Sequence, residues 1–290
     1  SAASDVYKRQ LLGVIRKELL VISDKYGDDR RTKIGFDDDV SVEDLIPDDD
    51  AVIAMTNLGY IKRMSVDNFK SQNRGGKGIK GMQTIEEDFI EDLLMTTNHH
   101  YIMFFTNTGK AHRIKAYEIP EATRTAKGTP VVNFLNLLQR ERVTAVIPIK
   151  EFAEDRFLVG VTKDGIIKKT ALANFDTNRK TGLIAMNLKE GDQLIDIRET
   201  SGNNNVIIVT KHGKCISFSE EDVRPMGRIA GGVRAIKLEK DDEVVSMELV
   251  EPGQELLVVT EKGYGKRTKV EEYKIQVRGG KGCLLYTSDA

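Results

Sequence analysis

The residues best suited to chemistry form one short stretch, Gln72-Asn73-Arg74-Gly75-Gly76-Lys77-Gly78, followed by Ile79-Lys80-Gly81. Glycines lack Cβ and let backbone N–H groups approach an anion, while Arg74 and Lys77 add charge, so the stretch is suited to holding phosphate oxygens without reading bases. Taken alone, a basic glycine-rich loop is equally what a plain inter-strand turn looks like. A second set of cations follows recurrent turn glycines: Lys62 and Arg63, Lys110 and Arg113, Lys168 and Lys169, Lys214, and Lys266 with Arg267. Lys80, Lys127, Lys180, Arg228, Arg234, Arg278 and Lys281 extend it. Any one of them suits a solvated surface; their recurrence in register favours a basic rim that duplex phosphates could follow, with counterions released at each contact.

Catalytic constellations are missing. The chain has no Gly-Lys-Ser/Thr phosphate loop of the Walker type, no His-Glu-x-x-His and no Cys-x-x-Cys. His99 and His100 are adjacent, which suits an exposed turn better than a metal site. The acidic runs Glu86-Glu87-Asp88 and Asp241-Asp242-Glu243 read as solvated loops, and Tyr60, Tyr101 and Tyr264 sit at strand or turn positions without the surroundings of a nucleophile. No catalytic or metal-ligating residue is therefore assigned. With 290 residues, 40% of them hydrophobic and 31% charged, the chain can bury a sizeable core. It shows no apolar run of membrane-spanning length and no signal peptide, and Cys215 and Cys283 are too few for a disulfide framework, which suits a reducing soluble compartment.

The elements that must position these cations are legible as repeats. Five segments share an apolar run, Thr-x-x-Gly and a basic stretch, with the threonines at 56, 106, 162, 210 and 260. Each has a second glycine downstream, at Gly78, Gly128, Gly182, Gly232 and Gly282. The runs are short and rich in Val, Ile and Phe, and the glycine supplies a turn, so each unit predicts a β-hairpin. Units of about fifty residues built from short strands suit the blades of a propeller-like array. Ahead of them, Leu12, Ile15, Leu19, Ile22 and Tyr26 form one face of a helix, and residues 28 to 50 form an acidic linker of net charge −7. Residues 51 to 282 carry a net +5. The two ends stand apart: a DNA sequence able to encode Ser1 to Gln10 has a complement that translates, one base in, as Cys283 to Ala290. The pair resembles a transposase-derived sequencing adaptor, so residues 1–10 and 283–290 are set aside from the fold reading.

Together, the repeats and the Gln72 to Gly78 loop resemble the C-terminal domain of the DNA gyrase A subunit, whose hallmark is a Gln-Arg-Arg-Gly-Gly-Lys-Gly box in a six-bladed β-pinwheel. The likeness covers essentially all of Leu11 to Gly282. Gly59-Tyr60-Ile61-Lys62-Arg63 resembles the first blade, and Arg224-Pro225-Met226-Gly227-Arg228 with Gly231-Gly232-Val233-Arg234 a later one. Asn73 departs from the box, where the family usually has a basic residue, and implies a weakened box. Arg278-Gly279-Gly280-Lys281-Gly282 repeats part of it.

The resemblance implies an all-β fold, a β-pinwheel over 51–282 truncated in its fifth blade. Before it come the end of the long helix from the cleavage domain (11–27) and the acidic linker (28–50). It implies non-sequence-specific binding of double-stranded DNA and its wrapping with positive handedness, so that a type II topoisomerase introduces negative supercoils by ATP-dependent strand passage. The implied partners are the gyrase B subunit, in an A2B2 heterotetramer, and a second gyrase A protomer through the missing N-terminal part, with no membrane. No cofactor is expected in this fragment; ATP and Mg2+ are expected on the B subunit. The cleaving tyrosine is expected upstream, the fragment itself non-catalytic, and the location the bacterial cytoplasm, at the nucleoid. Two alternatives stay open: the related domain of topoisomerase IV, which lacks a well-formed box, and a propeller that binds protein partners.

Overall fold

A computed structural model describes residues 2–28, 41–68, 88–177, 179 and 182–285. The chain divides into two units, Ser1–Leu45 and Ile46–Ala290. The first holds helix α1 (Ala2–Tyr26), which begins ten residues before the predicted face and leaves Leu12, Ile15, Leu19, Ile22 and Tyr26 exposed. It also holds a 3₁₀ turn, Val42–Leu45, started by a reciprocal cap in which Ser41 N donates to Asp44 Oδ2 (2.7 Å) and Asp44 N to Ser41 Oγ (3.3 Å).

The second unit is built from strands, in chain order β1 (Asp50–Thr56), β2 (Tyr60–Ser65), β3 (Ile90–Thr97), β4 (Tyr101–Thr106), β5 (Lys110–Lys115) and β6 (Thr129–Pro130). They continue with β7 (Val143–Ile149), β8 (Phe157–Thr162), β9 (Ile166–Ala171), β10 (Leu183–Ile184), β11 (Leu194–Thr200) and β12 (Asn205–Thr210). The last are β13 (Lys214–Ser219), β14 (Val233–Arg234), β15 (Val244–Val250), β16 (Glu255–Val259), β17 (Gly265–Lys269) and β18 (Cys283–Leu284). Each Thr-x-x-Gly closes a hairpin, as its sequence predicts. Gly59 N donates back to Thr56 O (2.8 Å), and the hydroxyls of Thr56, Thr162 and Thr210 accept from the residue after each turn glycine at 3.2 Å.

The four antiparallel blades are ordered β3-β1-β2-β6, β7-β4-β5-β10, β11-β8-β9-β14 and β15-β12-β13-β18, and β16-β17 form a fifth hairpin. The last strand of every blade comes from the next repeat, so neighbouring repeats are interlocked by exchanged strands. That exchange explains the second glycine of the later repeats. Gly128, Gly182, Gly232 and Gly282 all have positive φ, and each immediately precedes an exchanged strand. At Gly232 (φ +85) a Cβ would stand 2.6 Å from Ile167 O, inside the pairing of β14 with β9. Cys283–Leu284, set aside by the sequence reading, form the exchanged strand of the fourth blade against Lys214–Cys215. Pairing there uses backbone groups and is indifferent to what encoded them.

The hydrophobic core lies between neighbouring blades. Phe104, Ile114 and Ile119 pack with Ile53 and Ile61, Phe105 and Met103 with Leu158 and Phe175, and Phe218 and Ile208 with Val159 and Ile167. The third blade is therefore covered on both faces, Leu158 packing toward the second blade and Val159 toward the fourth, which is why β8 is buried from Leu158 onward without alternation. Strands of adjacent blades meet along β3, β7, β11 and β15, so these line the centre and the exchanged strands β6, β10, β14 and β18 lie at the periphery.

Candidate nucleic-acid interface

The peripheral loops that deliver the exchanged strands have one repeated geometry. The incoming chain first makes a single parallel bridge to the second hairpin strand of the preceding blade, Arg63 with Glu121, Lys169 with Pro225 and Ser217 with Ile275. It then leaves for seven residues, 122–128, 226–232 or 276–282, and returns as the two-residue antiparallel strand. Ala122 N, Met226 N and Gln276 N each donate to that same second hairpin strand, at 2.7 to 3.0 Å, as the excursion starts. Counted back from the second glycine, Gln72 to Gly78 occupies the same sequence register in the first repeat. Those seven residues, with Lys80 and Lys180, lie outside the described residues. The register also exposes a further residue. An arginine stands four places before the glycine at Arg74, Arg124, Arg228 and Arg278, and Arg124 escapes a reading that collects cations from the first glycine of each repeat.

The structure divides the predicted rim into two classes. Lys127, Arg234, Lys266, Arg267 and Lys281 are exposed, and Arg63, Lys110, Lys214, Arg228 and Arg278 are half-buried. Some of these are engaged: Lys127 Nζ lies 4.1 Å from the centre of the Tyr60 ring, Lys214 pairs with Glu239, and Arg267 Nε with Glu255 at 2.9 Å. Arg278 donates to Asp222 O (3.1 Å) and Arg234 O (2.6 Å). Lys62, Lys168, Lys169 and Arg113 do not belong to a rim at all, with 0%, 2%, 5% and 7% of their surface accessible.

Their recurrence has a packing cause. The third and fourth residues after the turn glycine lie on the second hairpin strand, under the loop that arrives from the next repeat. Lys62 Nζ donates to Thr123 O (3.1 Å), Arg124 O (2.6 Å) and Ala126 O (3.0 Å), and Lys168 Nζ to Ala185 O (2.7 Å) and Arg228 O. One residue on, Arg63 Nε donates to Ile119 O (3.3 Å), Arg113 Nη1 to Phe175 O (3.4 Å), and Lys169 Nζ to Glu220 O (3.0 Å). Arg113 also donates to Thr177 O and lies 4.7 Å from the Tyr101 ring centre. Burial depresses the Lys62 and Lys168 ammonium groups, Lys168 to about 8 with Arg228 adding to the effect. In the second blade the equivalent position is His112, buried beside Glu141 and held below the usual imidazole range by burial.

Electrostatics separates centre from periphery. A central cavity of about 590 Å3 is lined by Glu91, Asp92, Asp196, Glu199 and Glu248 against one cation, Arg198, which pairs with Asp196 at 2.9 Å and Glu248 at 3.1 Å. The Asp92 carboxyl is pushed up to about 6 by burial and by the nearby Glu91 and Asp196. A polyanion is repelled there, whereas the excursion loops carry Arg124, Lys127, Arg228, Arg278 and Lys281.

A sequence profile described as the DNA gyrase C-terminal domain, beta-propeller, matches residues 50–97, 100–150, 156–201, 204–251 and 254–282. The chain belongs to the DNA gyrase C-terminal domain family. The five matched segments begin within a few residues of β1, β4, β8, β12 and β16, so the family repeat coincides with the structural one. The chain is 46% identical over 282 residues to the DNA gyrase A protein of Staphylococcus epidermidis, and over 283 residues to that of Staphylococcus aureus. Each alignment takes in 96% of this chain and 32% of the relative, so the chain spans about a third of the length of the curated relatives it matches. Among solved structures, it is similar to the C-terminal domain of DNA topoisomerase IV (TM-score 0.71, 27% identity, 82% of this chain and 73% of that one). It is also similar to the DNA gyrase A C-terminal domain (TM-score 0.65, 29% identity, 81% and 76%). The gyrase-family pinwheel thus accounts for the exchanged strands.

Proposed function

We propose that this chain is the DNA-wrapping part of a gyrase A protein. It binds duplex DNA without reading sequence and bends it around the periphery of the blades, so that the holoenzyme introduces negative supercoils by ATP-dependent strand passage. The observation that carries this reading is the shared register of the Gln72 to Gly78 box with the peripheral excursions 122–128, 226–232 and 276–282. One basic loop per repeat then meets the duplex at successive blades. Bending a short duplex costs about 1–6 kcal/mol, offset by the contacts that the bend permits. Family membership and the gyrase A relatives support partnership with the B subunit and work in the bacterial cytoplasm; the reading adds an A2B2 assembly, ATP and Mg2+ held by that partner, and catalysis carried by residues outside this fragment.

The test is the linking number of a nicked plasmid circle ligated with and without the chain. A protein-dependent positive shift is expected; salt-sensitive binding without any shift would refute wrapping. Arg74→Ala with Lys77→Ala is expected to reduce the shift more than the affinity. The rival, a propeller whose basic surface serves protein partners, has no salt-dependent affinity for duplex DNA, while the proposed reading loses affinity with a slope of about −0.9 per phosphate contact.

A further inference from the structure

We propose that Lys62 and Lys168 are positioning residues that turn backbone N–H groups of the loops above them toward a phosphate of duplex DNA. The inference rests on the DNA-binding reading and adds to it a source of contact that no side-chain census contains. Every described peptide bond is trans, and in a trans peptide the C=O and the following N–H point in opposite directions. Lys62 draws the carbonyls of Thr123, Arg124 and Ala126 inward onto one ammonium, so the N–H groups of Thr125 and Lys127, which follow the last two, are turned away from it. Thr125 and Lys127 are exposed residues of the loop. Ala126 N is the exception, donating to Thr123 O at 3.1 Å to close the turn.

The third blade repeats the device. Lys168 draws in Arg228 O, which turns Ile229 N–H outward on a residue that is 73% exposed, and Ala230 N closes the equivalent turn on Gly227 O at 3.1 Å. Each loop thus combines outward N–H groups with a cationic centre beneath them whose bonding partners are uncharged carbonyls, the arrangement of an anion-binding backbone nest. The second and fourth blades provide the contrast. His112 Nδ1 there accepts from Gly182 N (3.4 Å), drawing an N–H inward, and the fourth blade has Ile216, which has no donor to offer. Backbone contact is therefore assigned to the first and third blades.

The experiment is amide NMR on the full chain titrated with a short duplex, with the Lys62→Met variant in parallel. In the unaltered chain the Thr125, Lys127 and Ile229 amides are expected to shift in proportion to occupancy. In the variant, Thr125 and Lys127 are expected to lose that response while Ile229 keeps it, and the salt slope of affinity to become shallower by about one phosphate contact. Shifts elsewhere on the backbone with these three amides unmoved in the unaltered chain would overturn the inference and leave DNA binding standing, even if the variant fails to fold. No salt-dependent binding at all would overturn both readings.

Discussion

Two glycines in the same fourth repeat separate backbone strain from strand exchange. Gly213 (φ +74) has nothing within 4 Å of a built Cβ, whereas Gly232 (φ +85) would bring its Cβ within 2.6 Å of Ile167 O, 2.9 Å of Ile166 Cγ2 and 3.0 Å of Met186 Cε. Either Gly→Ala change forces an L-residue into the left-handed region, at about 1–2 kcal/mol, partly offset by about 0.4–1 kcal/mol from a stiffer unfolded chain. Gly213→Ala should therefore cost about 1 kcal/mol. Gly232→Ala adds overpacking against a backbone oxygen that cannot rotate away, about 1–3 kcal/mol more. Movement of that oxygen pulls on the pairing of Val233 with Ile167 and Arg234 with Ile166. Urea unfolding of the two variants should give equal slopes and a lower midpoint for Gly232→Ala, with hydrogen exchange accelerated at Val233 and Arg234. Equal midpoints would refute the reasoning, because φ alone would then set the cost and the exchanged strand would not be clamped at its start.

Arg113→Met removes a guanidinium bound to Phe175 O and Thr177 O, so stability should fall by about 2–4 kcal/mol while the salt slope of DNA binding stays unchanged; a shallower slope would return Arg113 to the rim. Asp92→Asn tests the central cavity. A carboxyl raised to about 6 in the folded state keeps its proton where the unfolded chain has lost it, so native stability falls as pH rises from about 4 to 6. The variant should therefore be more stable than the unaltered chain at pH 7, on the order of 1–3 kcal/mol, and no different below pH 4, as thermal melts at the two pH values will measure. Mild oxidation should join Cys215 to Cys283, whose sulfurs stand 3.9 Å apart across β13 and β18. Burial pushes the Cys215 thiol up to about 12, so the coupling should accelerate as pH rises; intact free thiols after oxidation would show β18 unpaired.

The hairpins were legible because their cause is local. An apolar run ending at Thr56 or Thr162, with a glycine three residues on, closes a turn through the threonine's own carbonyl and hydroxyl, whatever surrounds it. The box was legible for the same reason, as a run of residue types suited to anions. The role of Lys62 and Lys168 was not, since a lysine on a solvated rim and a lysine bonded to buried carbonyls have the same letter and the same spacing. What distinguishes them is a loop sixty residues away in sequence, at Thr123 to Ala126 or at Arg228.

The sequence by itself determined the period, the hairpins, the acidic segment ahead of them and the basic character of residues 51 to 282, because each depends on residues within one repeat or on a sum of charges. It also determined the register of Arg74 with Arg124, Arg228 and Arg278, although that could be recognised only from the second glycine. Tertiary structure alone decided that each blade borrows its outer strand from the following repeat. Exchange is a choice of partner between backbone groups that are chemically alike in every repeat. Once it is made, cations under the arriving loop are taken out of water and tied to its carbonyls, while Lys127 and Lys281 on the loops themselves stay exposed.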